Sequence, residues 1–173
     1  DENIRTHLAA INRRRTASIT LRYFQYLTAL YTEIVLDRYF NQRTRLLSDL
    51  NAFVCARNAA KAPGEAPDEA FADGDLTKLA YWMATGSGKT LMLHLNYHQY
   101  LHYSKSAPDN ILLITPNEGL TDQHLSELAS SGIPARRFDL NANSGLDAKN
   151  TVQVIEITKL VEEKRGGGVS VPV

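Results

Sequence analysis

The stretch YWMATGSGKTLML, Tyr81–Leu93, limits what this chain can fold into more than any other. An apolar run, KLAYWMA, ends in a glycine-bearing turn, and the turn passes directly into GKTLMLHLNYHQYLHY, which is long enough for a helix. A strand that turns through glycines into a helix aims several backbone N–H groups at one point, where the positive end of the helix dipole also lies. An anion fits there. Gly86 and Gly88 allow backbone conformations and close approach that a Cβ would obstruct. Lys89 supplies a point charge suited to β and γ phosphates, and the Thr90 hydroxyl suits a magnesium position. The expected ligand is therefore a nucleoside triphosphate with Mg2+, seated on Thr85, Gly86, Ser87, Gly88, Lys89 and Thr90, with Lys89 and Thr90 in the catalytic roles. Met83 stands where the strict pattern G-x-x-x-x-G-K-[ST] has its first glycine. The bland reading is a Gly-Ser loop that caps a helix beside a solvated lysine. The strand before and the helix after favour phosphate.

The surrounding rhythm sets the fold class. NILLITP is a continuous apolar run closed by proline, EGLTDQHLSELASSG reads as a second helix stopped by Gly132, ARRFDL as a short strand and TVQVIEI as another. TKLVEEKRGGG reads as a last short helix. Strands alternating with helices imply βαβ units with parallel pairing, so the expectation is an α/β fold. Upstream, residues 18–50 carry Leu27, Leu30, Tyr31, Ile34 and Tyr39 at helical spacing. Between the two regions, KAPGEAPDEAFADGD gathers prolines, glycines and acids and reads as a mobile loop or insertion. The expected organisation is a helical region over 1–60, a loop or insertion over 61–76, and an α/β nucleotide-binding unit over 77–173.

Composition narrows the partners. Lys plus Arg number 19 and Asp plus Glu number 19, so the net charge is zero and any nucleic-acid contact must be local. The single cysteine, Cys55, excludes an internal disulfide framework, is expected in the core, and fits a reducing, cytoplasmic setting. No apolar run approaches the roughly 20 residues that cross a bilayer, so no membrane partner is expected.

MATGSGKT resembles the first motif of superfamily two helicases and translocases, the DEAD/DEAH-box proteins, particularly the branch with the type III restriction enzyme Res subunit. In that family methionine or alanine commonly stands at the Met83 position. LRYFQ, Leu21–Gln25, resembles the Q-type motif, LLITPNEGLTDQ resembles motif Ia, and VIEITKL resembles the strand and helix start that carry the next backbone contact. Tyr23 replaces the proline usual in the Q-type motif, and the interval from Gln25 to Lys89 is long. The resemblance implies a RecA-like P-loop parallel sheet with flanking helices after an N-terminal helical region. It implies ATP held additionally by Arg22, Phe24 and Gln25, with the Gln25 amide reading the adenine edge. It also implies nucleic-acid backbone contacts at Thr115, Pro116, Asn117, Gln123 and Thr158. Each has a plainer alternative: Gln25 as a helix cap, Arg22 as a solvated arginine, and Thr115 and Thr158 as helix-capping hydroxyls.

The chain shows no D-E-x-H-like run after an apolar strand. In the resembled family that acidic motif, and a second RecA-like domain bearing an arginine finger, lie downstream. The expectation is therefore a truncated first motor domain of an ATP-dependent DNA helicase or translocase, of a restriction-modification kind, that hydrolyses little ATP by itself. The competing readings are another P-loop NTPase or kinase, and a non-catalytic interaction module. His94, His98 and His102 recur every fourth residue without acidic or cysteine companions, and the tyrosines Tyr97, Tyr100 and Tyr103 are expected to pack under neighbouring strands. Arg13 to Arg15 read as a solvated basic face.

Overall fold

The computed structural model describes residues 1–139 and 149–159. Three helices come first: α1 (Glu2–Asn12), α2 (Tyr23–Asn41) and α3 (Arg43–Ala59). A 3-10 turn at Asp73–Thr77 precedes α4 (Lys89–Ser104), then β1 (Ile111–Thr115), α5 (Glu118–Ser130), β2 (Ala135–Arg137) and β3 (Val152–Glu156). The strands form one parallel sheet in the order β1-β3-β2, with Ile111 opposite Val152 and Thr115 opposite Glu156. The fold is thus α/β, with a parallel sheet flanked by helices. The expected last helix TKLVEEKRGGG lies almost wholly outside the described residues, although residues 157–159 begin a helical turn.

Helix α4 stands between two cores. Met92 and Leu95 point into a cluster with Ile4 and Ile11 of α1 and Ala29 of α2. Leu93 and Tyr97 lie instead against Leu128, Ile133, Val152 and Val154, so the sheet and α5 use the other side of the same helix. Each of these apolar side chains contributes about 1.5–3 kcal/mol on burial, and α4 is the element common to both clusters. Polar residues on α4 are buried with it. Gln99 Nε2 donates to the Ala29 carbonyl at 2.9 Å and to Glu33 Oε1 at 3.1 Å. Tyr103 OH donates to Glu33 Oε2 at 2.7 Å, and burial together with that carboxylate pushes the phenol up to about 12. A buried carboxylate needs such hydrogen-bond partners to offset its loss of water.

Several expectations are corrected. KLAYWMA is extended but joins no strand: its backbone has no ladder partner among the described residues, and Tyr81 is instead fastened to α2 by a 3.0 Å contact between its phenol and the Thr32 hydroxyl. On α2 the buried face is Gln25, Ala29, Thr32, Glu33 and Leu36, while Tyr31 and Ile34 face solvent. The apolar spacing misled because the buried stripe carries polar residues that bond to α4 and Tyr81. Cys55 is exposed, since α3 is covered on a narrow side only, through Leu46 and Val54. The acidic stretch is laid back along α3 by asparagine and ion-pair contacts and is not a free loop. Arg15 is not a solvated arginine: it donates to Ser131 Oγ at 2.7 Å and to Glu127 at 3.3 Å. Of the three tyrosines, Tyr97 lies by the sheet, Tyr103 binds Glu33, and Tyr100 is exposed.

The histidines of α4 divide: His98 and His102 both lie against His7 of α1, while His94 is turned the other way. His94 meets Ser131 of α5 through Nδ1 at 2.8 Å, and because Arg15 already donates to that hydroxyl oxygen, the Ser131 hydrogen is left for a neutral imidazole. His98 stacks on His7 of α1 at 5.8 Å between ring centres. Burial lowers both His94 and His98 from 6.5 to about 4. Their neutral forms belong to the folded state, while the unfolded chain takes up protons near pH 6.5. Their contribution is complete above pH 6.5 and is lost as pH falls toward 4. The melting temperature should therefore drop by several degrees between pH 6.5 and 5, at about 2–4 °C per kcal/mol. That window lies above ordinary carboxylate titration, and a flat melting temperature across it in scanning calorimetry would contradict the assignment.

Candidate nucleotide-binding site

The loop between Ala84 and Lys89 is exposed, with two glycines in the left-handed region, Gly86 at φ +75° and Gly88 at φ +91°. Ser87 N–H closes the turn on the Ala84 carbonyl at 3.2 Å. The first intrahelical bond of α4 runs from Met92 N–H to the Gly88 carbonyl, which places the amides of Lys89, Thr90 and Leu91 in the unpaired first turn. Those amides and the helix dipole face the loop mouth, the geometry that holds phosphate. Thr90 begins the helix beside Lys89 and is half-buried. Lys89 Nζ donates to the carbonyls of Met83 at 3.0 Å and Ala84 at 2.9 Å, so the ammonium spans the loop mouth from one side to the other.

Gln25 explains why Gly88 must be glycine. As the third residue of α2 its Oε1 accepts the Arg22 N–H at 2.9 Å, which caps the helix, and its Nε2 donates to the Ser87 carbonyl at 2.8 Å. A Cβ on Gly88 would sit 2.5 Å from that same Nε2. In this arrangement one hydrogen of Nε2 and one lone pair of Oε1 are engaged by protein, so Gln25 braces α2 against the loop. The helix-capping alternative is met by the bond from Arg22. Arg22 and Phe24 are exposed beside it.

The second group of expected residues lies at the carboxyl ends of β1 and β3, side by side because the strands are parallel and in register through Thr115 and Glu156. Pro116, Asn117 and Gln123 are exposed. Asn117 caps α5 by accepting Leu120 N–H at 2.9 Å. Thr158 is exposed and donates to Glu156 Oε1 at 2.7 Å. Thr115 corrects its expectation: it is 1% exposed, and its hydroxyl is 2.6 Å from that of Thr121 and 3.3 Å from the Ile155 carbonyl. That hydroxyl ties β1 to α5 and β3 and is not offered to a phosphate. Arg137 pairs with Glu118 and Asp122 on α5, which leaves this end of the sheet without a surplus of positive charge. Among the described residues no hydrogen bond joins these strand ends to the phosphate loop.

The family model described as Type III restriction enzyme, res subunit matches residues 37–166. The chain belongs to this family. The match covers the phosphate loop, α4, the sheet and α5, and the Res-subunit family is DEAD/DEAH-box helicase-like, so the parallel sheet is that of a RecA-like P-loop fold. At this level the family is one of helicase-like ATP-dependent motors that generally use ATP and Mg2+ and bind nucleic acid. No curated protein and no solved structure matches the chain. No described helix is long and apolar enough to cross a membrane. Leu21–Gln25 lies before the matched residues, yet the structure sets Gln25 against the loop.

Two substitutions probe the brace. Gln25→Ala leaves the Arg22 N–H and the Ser87 carbonyl without partners and should cost about 1–3 kcal/mol in urea unfolding. Gly88→Ala adds the clash and a φ that L side chains rarely adopt, and should cost at least as much. Wild-type unfolding midpoints for both variants would refute the brace.

Proposed function

We propose that this chain is the ATP-binding part of an ATP-dependent DNA helicase or translocase of a restriction-modification enzyme. The observation that carries the reading is the exposed turn with Gly86 and Gly88 in left-handed conformations, opening on the unpaired first-turn amides of α4 with the Lys89 ammonium across its mouth. The match to the Res-subunit family over residues 37–166 supports it. In the proposed site Gly86, Ser87 and Gly88 wrap the β-phosphate at the mouth formed by the unpaired first-turn amides of α4, Lys89 reaches the γ-phosphate from where the Met83 and Ala84 carbonyls hold it, and Thr90 takes a magnesium position. Thr85 borders the loop, and Phe24 with Arg22 stands where the base end of the nucleotide would lie. Asn117, Gln123 and Thr158, around the turn at Pro116, form a neutral donor surface at the strand ends, suited to backbone phosphates of a nucleic acid without base reading. An acidic motif on a later strand would complete metal binding, and an arginine finger would come from the second RecA-like domain, the proposed partner of this part.

Hydrolysis by this chain alone is expected to be slow, because the cradle binds and orients phosphates but supplies no group to activate water. A titration with magnesium and a fluorescent ATP analogue should give saturable binding in the wild type and at least about 100-fold weaker binding in Lys89→Ala, the loss expected for a buried-phosphate cation. Equal affinity in the two proteins would remove the site. Rapid ATP turnover stimulated by single-stranded DNA would instead show that this chain holds a complete active site.

A further inference from the structure

The acidic stretch after α3 is held by its backbone. Asn51 Nδ2 donates to the Phe71 carbonyl at 3.0 Å while its Oδ1 accepts the Phe71 N–H at 2.7 Å. Asn58 repeats the arrangement on Asp68, with both bonds at 2.8 Å. A side-chain amide offering one donor and one acceptor imitates the hydrogen-bonded residue of an antiparallel strand pair, and it reads only main chain. The spacing fits both partners. Seven residues of helix advance about 10.5 Å, and three residues of extended chain advance about 10 Å. Asp68 is also fixed by Lys61 at 2.8 Å and Arg57 at 3.0 Å, and the Lys61 bond holds its carboxyl below the usual range. Arg43 closes the other end with a fork on Asp73 at 2.7 Å per arm. The strap therefore runs back along α3 from its last turn to its first.

Beyond the strap the chain leads to the phosphate loop. The 3-10 turn drives Leu76 into a buried position beside Val35, Tyr39 and Tyr100. Tyr81 is then fastened to Thr32, and just after it Met83 and Ala84 present the carbonyls that hold Lys89. Residues 78–83 have no ladder partner among the described residues, so the strap, Leu76, Tyr81 and the packing of Met83 against the core of α1, α2 and α4 together set where those carbonyls stand. We propose that Asn51 and Asn58 are positioning residues for the nucleotide site, acting through the strap on the Met83 and Ala84 carbonyls and hence on Lys89. This inference rests on the ATP-site reading above.

Reciprocity supplies a test that a purely structural clamp would not satisfy: if the strap sets nucleotide affinity, nucleotide must steady the strap by the same factor. Magnesium with a non-hydrolysable ATP analogue should slow amide exchange across residues 66–72 in the wild type and leave it unchanged in Lys89→Ala. The double variant Asn51→Ala/Asn58→Ala should bind the analogue roughly 5- to 20-fold more weakly by calorimetry, within the usual range of coupling between sites. A double variant whose strap exchanges faster while its affinity stays at the wild-type value overturns the proposal. If that variant fails to fold, replacing residues 64–72 with a Gly-Ser linker of equal length gives the same reading: weakened binding supports the proposal and wild-type affinity overturns it. Wild-type protein that binds no analogue, or binds it as well with Lys89→Ala, removes the ATP site itself, and the inference falls with it. Lost binding in Lys89→Ala beside unaffected strap variants removes the inference alone.

Discussion

Helix α4 is buried on both sides, and the rest of the structure depends on that. Met92 and Leu95 fasten it to α1 and α2, Leu93 and Tyr97 fasten it to the sheet, and the two clusters share no other helix. A helix held from two sides has a fixed axis. Its first turn, with unpaired amides and dipole, is therefore a fixed object against which a loop can be shaped. The polar side chains of α4 follow from the same position: Gln99 and His94 are buried and Tyr103 half-buried, and each is matched by a partner on another helix or at its cap.

The phosphate loop is built on this fixed turn by contacts that come from far away in the chain. Gln25 grips the Ser87 carbonyl from α2, 62 residues earlier in sequence. The Met83 and Ala84 carbonyls hold the Lys89 ammonium while no phosphate is near, which prevents the charge from folding away into solvent. Because neither contact uses the first-turn amides of α4, the anion-binding donors stay available. The brace shapes the loop and leaves its function open. A glycine at position 88 is then required twice, by its backbone angle and by the amide that fills the space a side chain would take.

The strand ends obey a different logic. A threonine at the end of an apolar strand, before a proline and a helix, commonly donates outward, and Thr115 has that sequence setting. Its hydroxyl has turned inward to meet Thr121, two positions in one short turn that sequence distance alone does not connect. Asn117 and Thr158 remain outside, each with its side chain engaged locally. The neutrality of this surface agrees with a chain whose charges cancel, and any affinity there for nucleic acid would rest on neutral donors more than on field strength.

The sequence by itself determined the chemistry of the loop and the class of the fold. Glycines before a Lys-Thr pair, an apolar run ahead and a helix behind are local properties, fixed by backbone conformation and side-chain charge within one short stretch. The parallel sheet was legible from apolar runs such as NILLITP and TVQVIEI alternating with helical stretches, although one face of β1 stays exposed at Leu112 and Ile114. Only the tertiary structure decided that Gln25 braces the loop, that Thr115 faces inward, that Cys55 is exposed, and that the acidic stretch is strapped to α3. It also decided that KLAYWMA is fastened to α2 through Tyr81, with no ladder partner among the described residues. Each of these depends on which distant groups meet, and hydrogen-bond partners separated by tens of residues leave no period or motif in the sequence between them.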